Sequence, residues 1–202
     1  MEPTTEIRRL LDLMPASARM MTKIVSKRDQ LLVIDTAFPL PWQLERRISI
    51  NFDLWQRLKQ PQRDLLLLRT VSWLTSVKWF KPDIYQGVAL AGILGASVEM
   101  IQADIVGTVV AGGLSAIALT RIWRTYRSSQ FELNADAAAI SVAQRRGYNQ
   151  VQAASHLLSA IEAVAKIEKR PHLDFIELVR CQNLRAIAGL SPVAVPETIN
   201  YQ

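Results

Sequence analysis

Cysteine is almost missing from this sequence: Cys181 is the only one in 202 residues, which excludes an internal disulfide and any multi-cysteine metal cage. Histidine is nearly as scarce, with only His156 and His172, both late in the chain. No GxGxxG or other phosphate-cradling loop, no CxxC and no nucleophile elbow occurs. No secretory signal is expected either, since the first apolar run in "MEPTTEIRRLLDLMPASARMM" is short, contains Asp12 and stops at Pro15. A concentrated basic face is missing too. The net charge of +6 comes from 24 Lys and Arg against 18 Asp and Glu, spread along the chain, so nucleic acid is not the expected partner.

What is present is apolar surface. Half the residues are hydrophobic, high for a chain of this size whose core has limited room. Ile7, Leu10, Leu11 and Met14 fall on one face of a short amphipathic helix, suited to packing on the domain or to lying on a membrane surface. "LLVIDTAFPLPWQ" contains a short β-rich run, Leu31 to Ile34, closed by "FPLP", and "RRISINF" (Arg46 to Phe52) is a second candidate strand, giving one small β-hairpin. A short helix carrying Leu54, Trp55 and Leu58 precedes Pro61, and Gln62 to Phe80 reads as a long apolar helix. A helix over Arg127 to Gly147, another capped by Asn149, and a last one from about His172 to Ala188 complete a mainly α pattern.

Between them, from Ile84 to Trp123, two apolar runs flank Glu99, Gln102 and Asp104. Small residues recur every fourth position, at Gly87, Ala91 and Gly95 and at Ala103, Gly107, Ala111 and Ser115, a pattern that lets two helices approach closely. Lys78 and Lys81 precede the runs, and Arg121, Arg124 and Arg127 follow them. This charge placement predicts a transmembrane helical hairpin over 84–123 with both termini cytoplasmic; the alternative is a pair of helices packed inside a larger assembly. The expected division is an N-terminal amphipathic helix (1–30), a domain built from 31–83 and 124–190, the hairpin, and a flexible tail (191–202).

"FELNADAAA" carries Glu132 and Asp136 one helical turn apart, with Ala135 beside the aspartate and small residues after it. With the order of elements around it, roughly Leu31 to Ala165 resembles membrane zinc metallopeptidases of the HtpX and CAAX-prenyl-protease type, in which an "HExxH" helix, two hydrophobic segments and an "ExxAD" helix follow one another. The resemblance implies a zincin-like (gluzincin) helical scaffold with the hairpin inserted. It places Arg69, Thr70 and Trp73 of "RTVSW" where the family has its two zinc-binding imidazoles and its general base. None of the three can do that chemistry: arginine repels a cation, threonine is no base at neutral pH, and tryptophan offers no lone pair.

The expectation is therefore a vestigial site with no metal and no cofactor, in which Arg69 pairs with Glu132, or with Asp136, and Trp73 fills the second imidazole's volume. The pattern also looks like an uncharacterised, largely cyanobacterial family of such inactive homologues, which implies a bacterial inner-membrane or thylakoid setting. Function would then be binding, as a scaffold or adaptor for membrane proteins, with the lipid bilayer and an unidentified membrane protein as partners. Two alternatives stay open: a structural subunit of a membrane complex, and a metal-dependent hydrolase using Glu132 and Asp136 with non-standard ligands. Oligomeric state is not legible.

Overall fold

A computed structural model of the chain describes residues 2–40, 43, 45–77, 87, 91–95, 97–98, 109–110, 113, 116–117, 120 and 128–190. Its contacts divide the chain into two units, one of Met1–Val77 with Glu132–Gln202 and one of Lys78–Phe131. In chain order the first unit contains α1 (Pro3–Leu13), α2 (Ala16–Met21), β1 (Thr22–Ser26), β2 (Ile34–Thr36), β3 (Arg46–Ile50), α3 (Phe52–Trp55) and α4 (Gln60–Ser76). Most of α5 (Ser129–Gln144), then α6 (Gln150–Ile167) and α7 (Phe175–Ile187), complete it.

Helix α4 organises this unit because it is apolar on more than one side. Leu66, Leu67, Val71 and Leu74 face a core shared with Leu10 of α1, Met14 just after it, Ile24, Ile48 and Ile50 of the sheet, and Trp55. Leu65 and Leu68 face a second core with Ala139, Ile140, Leu157, Ile161, Cys181 and Leu184 from α5, α6 and α7. A helix buried on two sides loses the one-stripe pattern of a surface helix. Each fully buried leucine contributes about 1.5–3 kcal/mol.

Local signals set the helix ends. The Asn149 side chain accepts from the Gln152 N–H at 2.7 Å, and the Gln152 side chain accepts in return from the Asn149 N–H at 3.3 Å, a capping box. Asp174 and Glu177 do the same for α7. Gly147, with φ of 97°, supplies the left-handed residue after α5.

The sheet corrects the expected hairpin. It has three strands in the order β1-β3-β2. Strands β2 and β3 are antiparallel, with Asp35 opposite Ser49, but β3 also pairs in parallel with β1, Ile24 opposite Ile48. Strand β1 lies inside the segment expected to be wholly helical.

The inserted transmembrane hairpin is not supported either: among the described residues no helix is long and apolar enough to cross a membrane. The two longest described helices show why. Helix α4, 17 residues, rises about 26 Å at 1.5 Å per residue, short of a core about 30 Å thick, and carries Arg63, Asp64 and Arg69. Helix α6, 18 residues, carries Glu162 and Lys166. The expected integral-membrane placement, inner or thylakoid with cytoplasmic termini, falls with the hairpin. Most of 84–123, and all of the tail 191–202, lie outside the described residues.

Candidate functional site

Arg69 and Trp73 stand one turn apart on α4, and Glu132 and Asp136 one turn apart on α5, so each helix presents two groups on one face. The Arg69 Nη2 pairs with Glu132 Oε2, and the Trp73 indole donates to Glu132 Oε1 at 2.9 Å. The Arg69 Nε lies 3.6 Å from Asp136 Oδ1, beyond a hydrogen bond, and is a buried donor without an acceptor. Thr70 takes no part: it is buried, and its hydroxyl donates to the Leu66 carbonyl one turn back at 2.9 Å.

The residue that holds Asp136 is Arg180, on α7. Its Nε and Nη2 donate to the two carboxylate oxygens, both at 2.8 Å, the bidentate geometry that suits guanidinium to carboxylate. Asp136 is fully buried, and the Arg180 side chain is 9% exposed. Burial weighs against the charge of Arg180, but Asp136 outweighs it and raises the arginine's pKa. Arg69 fares differently. Burial first, and the like charge of Arg180 second, pull its pKa down to about 9, against the pull of Asp136 and Glu177. It keeps its positive charge at neutral pH, in a place where that charge is poorly stabilised.

Arg69, Trp73, Glu132 and Arg180, with Asp136 buried behind them, line a cleft of about 380 Å³. Leu32, Ile34, Asp35 and Thr36 form the wall opposite α4, Ile161 and Val164 of α6 supply apolar floor, and Glu168, Arg170 and Glu177 close one end. That end is ordered by Arg170, whose Nη1 and Nη2 donate to the two Glu177 oxygens at 2.8 Å each. Burial pushes the Glu177 carboxyl up, but the Arg170 hydrogen bond and charge prevail and hold it below the ordinary carboxylate range. Glu168 accepts from the Val33 N–H at 2.8 Å, tying the start of β2 to the end of α6.

Strand β2 is an edge strand. The Asn51 N–H donates to the Val33 carbonyl at 3.1 Å, so by the antiparallel alternation Val33 and Asp35 face β3 while Ile34 and Thr36 turn their N–H and C=O groups away from it. No backbone or side-chain partner meets those outward groups among the described residues, and Ile34 and Thr36 line the cleft.

Chemically the carboxylates are committed: Glu132 to Arg69 and Trp73, Asp136 to Arg180. Among the described residues no group of three or more His, Cys, Asp or Glu side chains is placed to hold a metal ion. His156 sits elsewhere, edge-on to Tyr148 with ring centroids 6.0 Å apart, and His172 lines a separate depression beside Pro171.

Sequence reasoning brought together Arg69, Trp73, Glu132 and Asp136 but missed Arg180. Its signal was an arginine beside Cys181 and Leu184, on the face of α7 that also carries Ala188. A charge in an apolar stripe calls for a buried partner.

The fold and cleft define a mainly helical protein with a small mixed sheet and an arginine-filled site. The chain belongs to the family described as protein of unknown function (DUF3318), whose model matches residues 8–148. No curated protein and no solved structure matches it. The expected membrane and metallopeptidase-like character therefore finds no support, since the matching family carries no known function and nothing links the chain to peptidases of the HtpX or CAAX type.

Proposed function

We propose that the chain works by binding rather than by catalysis, as an adaptor or scaffold that takes an extended polypeptide segment along the cleft. The observation that carries this reading is the open edge of β2 facing the cleft. Unpaired strand N–H and C=O groups are a template for another chain, and adding a strand to such an edge is a recurrent mode of peptide recognition. The apolar groups Leu32, Leu66, Ile161 and Val164 would accept side chains, and the orphaned Arg69 Nε–H would donate to an oxygen of the segment. The engagement of Glu132 and Asp136 with arginines supports the non-catalytic half of the reading, because a carboxylate paired in this way is a poor base and a poor metal ligand.

The test is selection of binders from a displayed library of linear peptides, followed by mass spectrometry of the bound peptides. Intact peptides are expected, bound by the wild type and lost on Ile34→Pro, a change an unpaired edge position tolerates. Ile34→Pro without effect on binding would overturn the edge reading. Cleavage of peptides that disappears on Glu132→Gln would overturn the non-catalytic one.

A further inference from the structure

A second groove, of about 350 Å³, lies between α2, α4 and α5 and has different chemistry. Its polar lining is Ser17, Ser72, Thr75, Ser76, Ser141 and Arg145, and no Asp or Glu lines it. Thr75 and Ser76 have committed their protons, donating to the Val71 and Ser72 carbonyls at 2.9 and 2.7 Å, and so face the groove as acceptors. The hydroxyls of Ser17, Ser72 and Ser141 bond to no protein group among the described residues, and Arg145 makes no ion pair among them. Ser72 is the telling one. Its residue is only 7% exposed, and its hydroxyl bonds to no protein group and opens on the groove.

We propose that this groove binds a small phosphorylated polyol. A guanidinium fork and three uncommitted hydroxyls supply the donors that the three oxygens of a phosphoryl group call for. No carboxylate is present to repel it. Thr75 and Ser76 supply acceptors for the hydroxyls of the organic part, and Val71, Ala138 and Val142 supply apolar wall for its carbons. The volume lies in the range of small-molecule sites, so inorganic phosphate alone leaves it underfilled. The residues involved are separate from the peptide cleft, and the two readings stand or fall independently.

Calorimetric titration of the full chain with glucose 6-phosphate, inorganic phosphate and glucose tests the assignment. Saturable binding of the sugar phosphate is expected, weaker binding of inorganic phosphate, and none of glucose. Arg145→Gln, at an exposed position, and Ser72→Ala are each expected to weaken the sugar phosphate at least about tenfold, while Arg185→Gln, on α7, leaves it unchanged. No binding of any probe at millimolar concentration would overturn the proposal. So would binding that is indifferent to both Arg145→Gln and Ser72→Ala, or glucose bound as well as its phosphate.

Discussion

Two buried ionic networks lie on α4, and they differ in how their charges are matched. At the N-terminal end of the helix, Glu6 accepts from Arg9 (2.9 Å to each oxygen), from Arg63 at 2.8 Å and from the Trp55 indole at 3.2 Å. Asp64 accepts from Arg9 at 2.6 Å and from the Tyr148 hydroxyl at 2.9 Å. At the other end, Asp136 and Arg180 satisfy each other, but Arg69 is left with one carboxylate, an orphaned Nε and a like charge beside it. The first network clamps α1 and the Tyr148 turn onto α4. The second holds two ion pairs, Asp136 with Arg180 and Glu132 with Arg69, and sets the Arg69 guanidinium beside a like charge at the wall of a cleft, as ligand sites do and structural clamps need not.

The largest effect expected is that of Asp136→Ala. It leaves Arg180 and Arg69 together in the interior without their common anion, and breaking a buried pair in this way costs about 3–5 kcal/mol. The urea midpoint would read the loss. The double change Asp136→Leu with Arg180→Met should recover most of it, because well-packed apolar replacements of a buried pair are often near neutral. Arg69→Met should cost less, about 1–3 kcal/mol for a hydrogen-bonded charge, because Glu132 keeps the Trp73 indole and relief from Arg180 offsets part of the loss. If Arg69→Met proves as damaging as Asp136→Ala, Arg69 is a structural clamp and the contrast drawn above collapses.

Tyr148→Phe removes one hydrogen bond to Asp64 and should cost about 1 kcal/mol. The same phenol makes an alkaline signature. Burial, then the bond to Asp64, push its pKa up to about 12 from the ordinary 10. Between those values the folded chain keeps a proton that the unfolded chain gives up, so stability falls as pH rises, and Tyr148→Phe should flatten that limb.

The smallest effect lies at the acid end. Burial pushes Glu6 up, but hydrogen bonds from Arg9 and Trp55 and the charges of Arg9 and Arg63 hold it below 4.5. Its contribution is present above the unfolded value and is lost as pH falls through the folded one. Glu6→Gln should therefore make stability less dependent on pH below about 4.5, as acid titration of the urea midpoint would show.

Legibility followed the range of the interactions. The α1 face, the Asn149 cap, the Gly147 stop and the β2–β3 pair were readable because each is written within a few residues. Strand β1, "TKIVS", was not: it is five residues long and finds its partner in parallel across an intervening strand, with no turn signal to announce the pairing. The ends of α4 and α5 were close to expectation, yet the second guanidinium lay 44 residues from Asp136, and the apolar stripe that marks Arg180 as a buried charge does not name its partner. The membrane expectation rested on apolar runs and charge flanks over 84–123, local signals that no described helix supports.

The interruption of the first unit by residues 78–131 has a consequence for how the protein is made. A ribosome adding about 5–20 residues per second releases the first 77 residues roughly 3–10 s before Glu132 follows them. During that interval α1 and the sheet can cover one side of α4, while Leu65 and Leu68 have none of the partners that α5, α6 and α7 later bring. The nascent half-domain is thus a sticky object with a defined lifetime. Slowing synthesis across the insertion should raise its aggregation, or its reliance on chaperones, without altering a single contact of the finished fold.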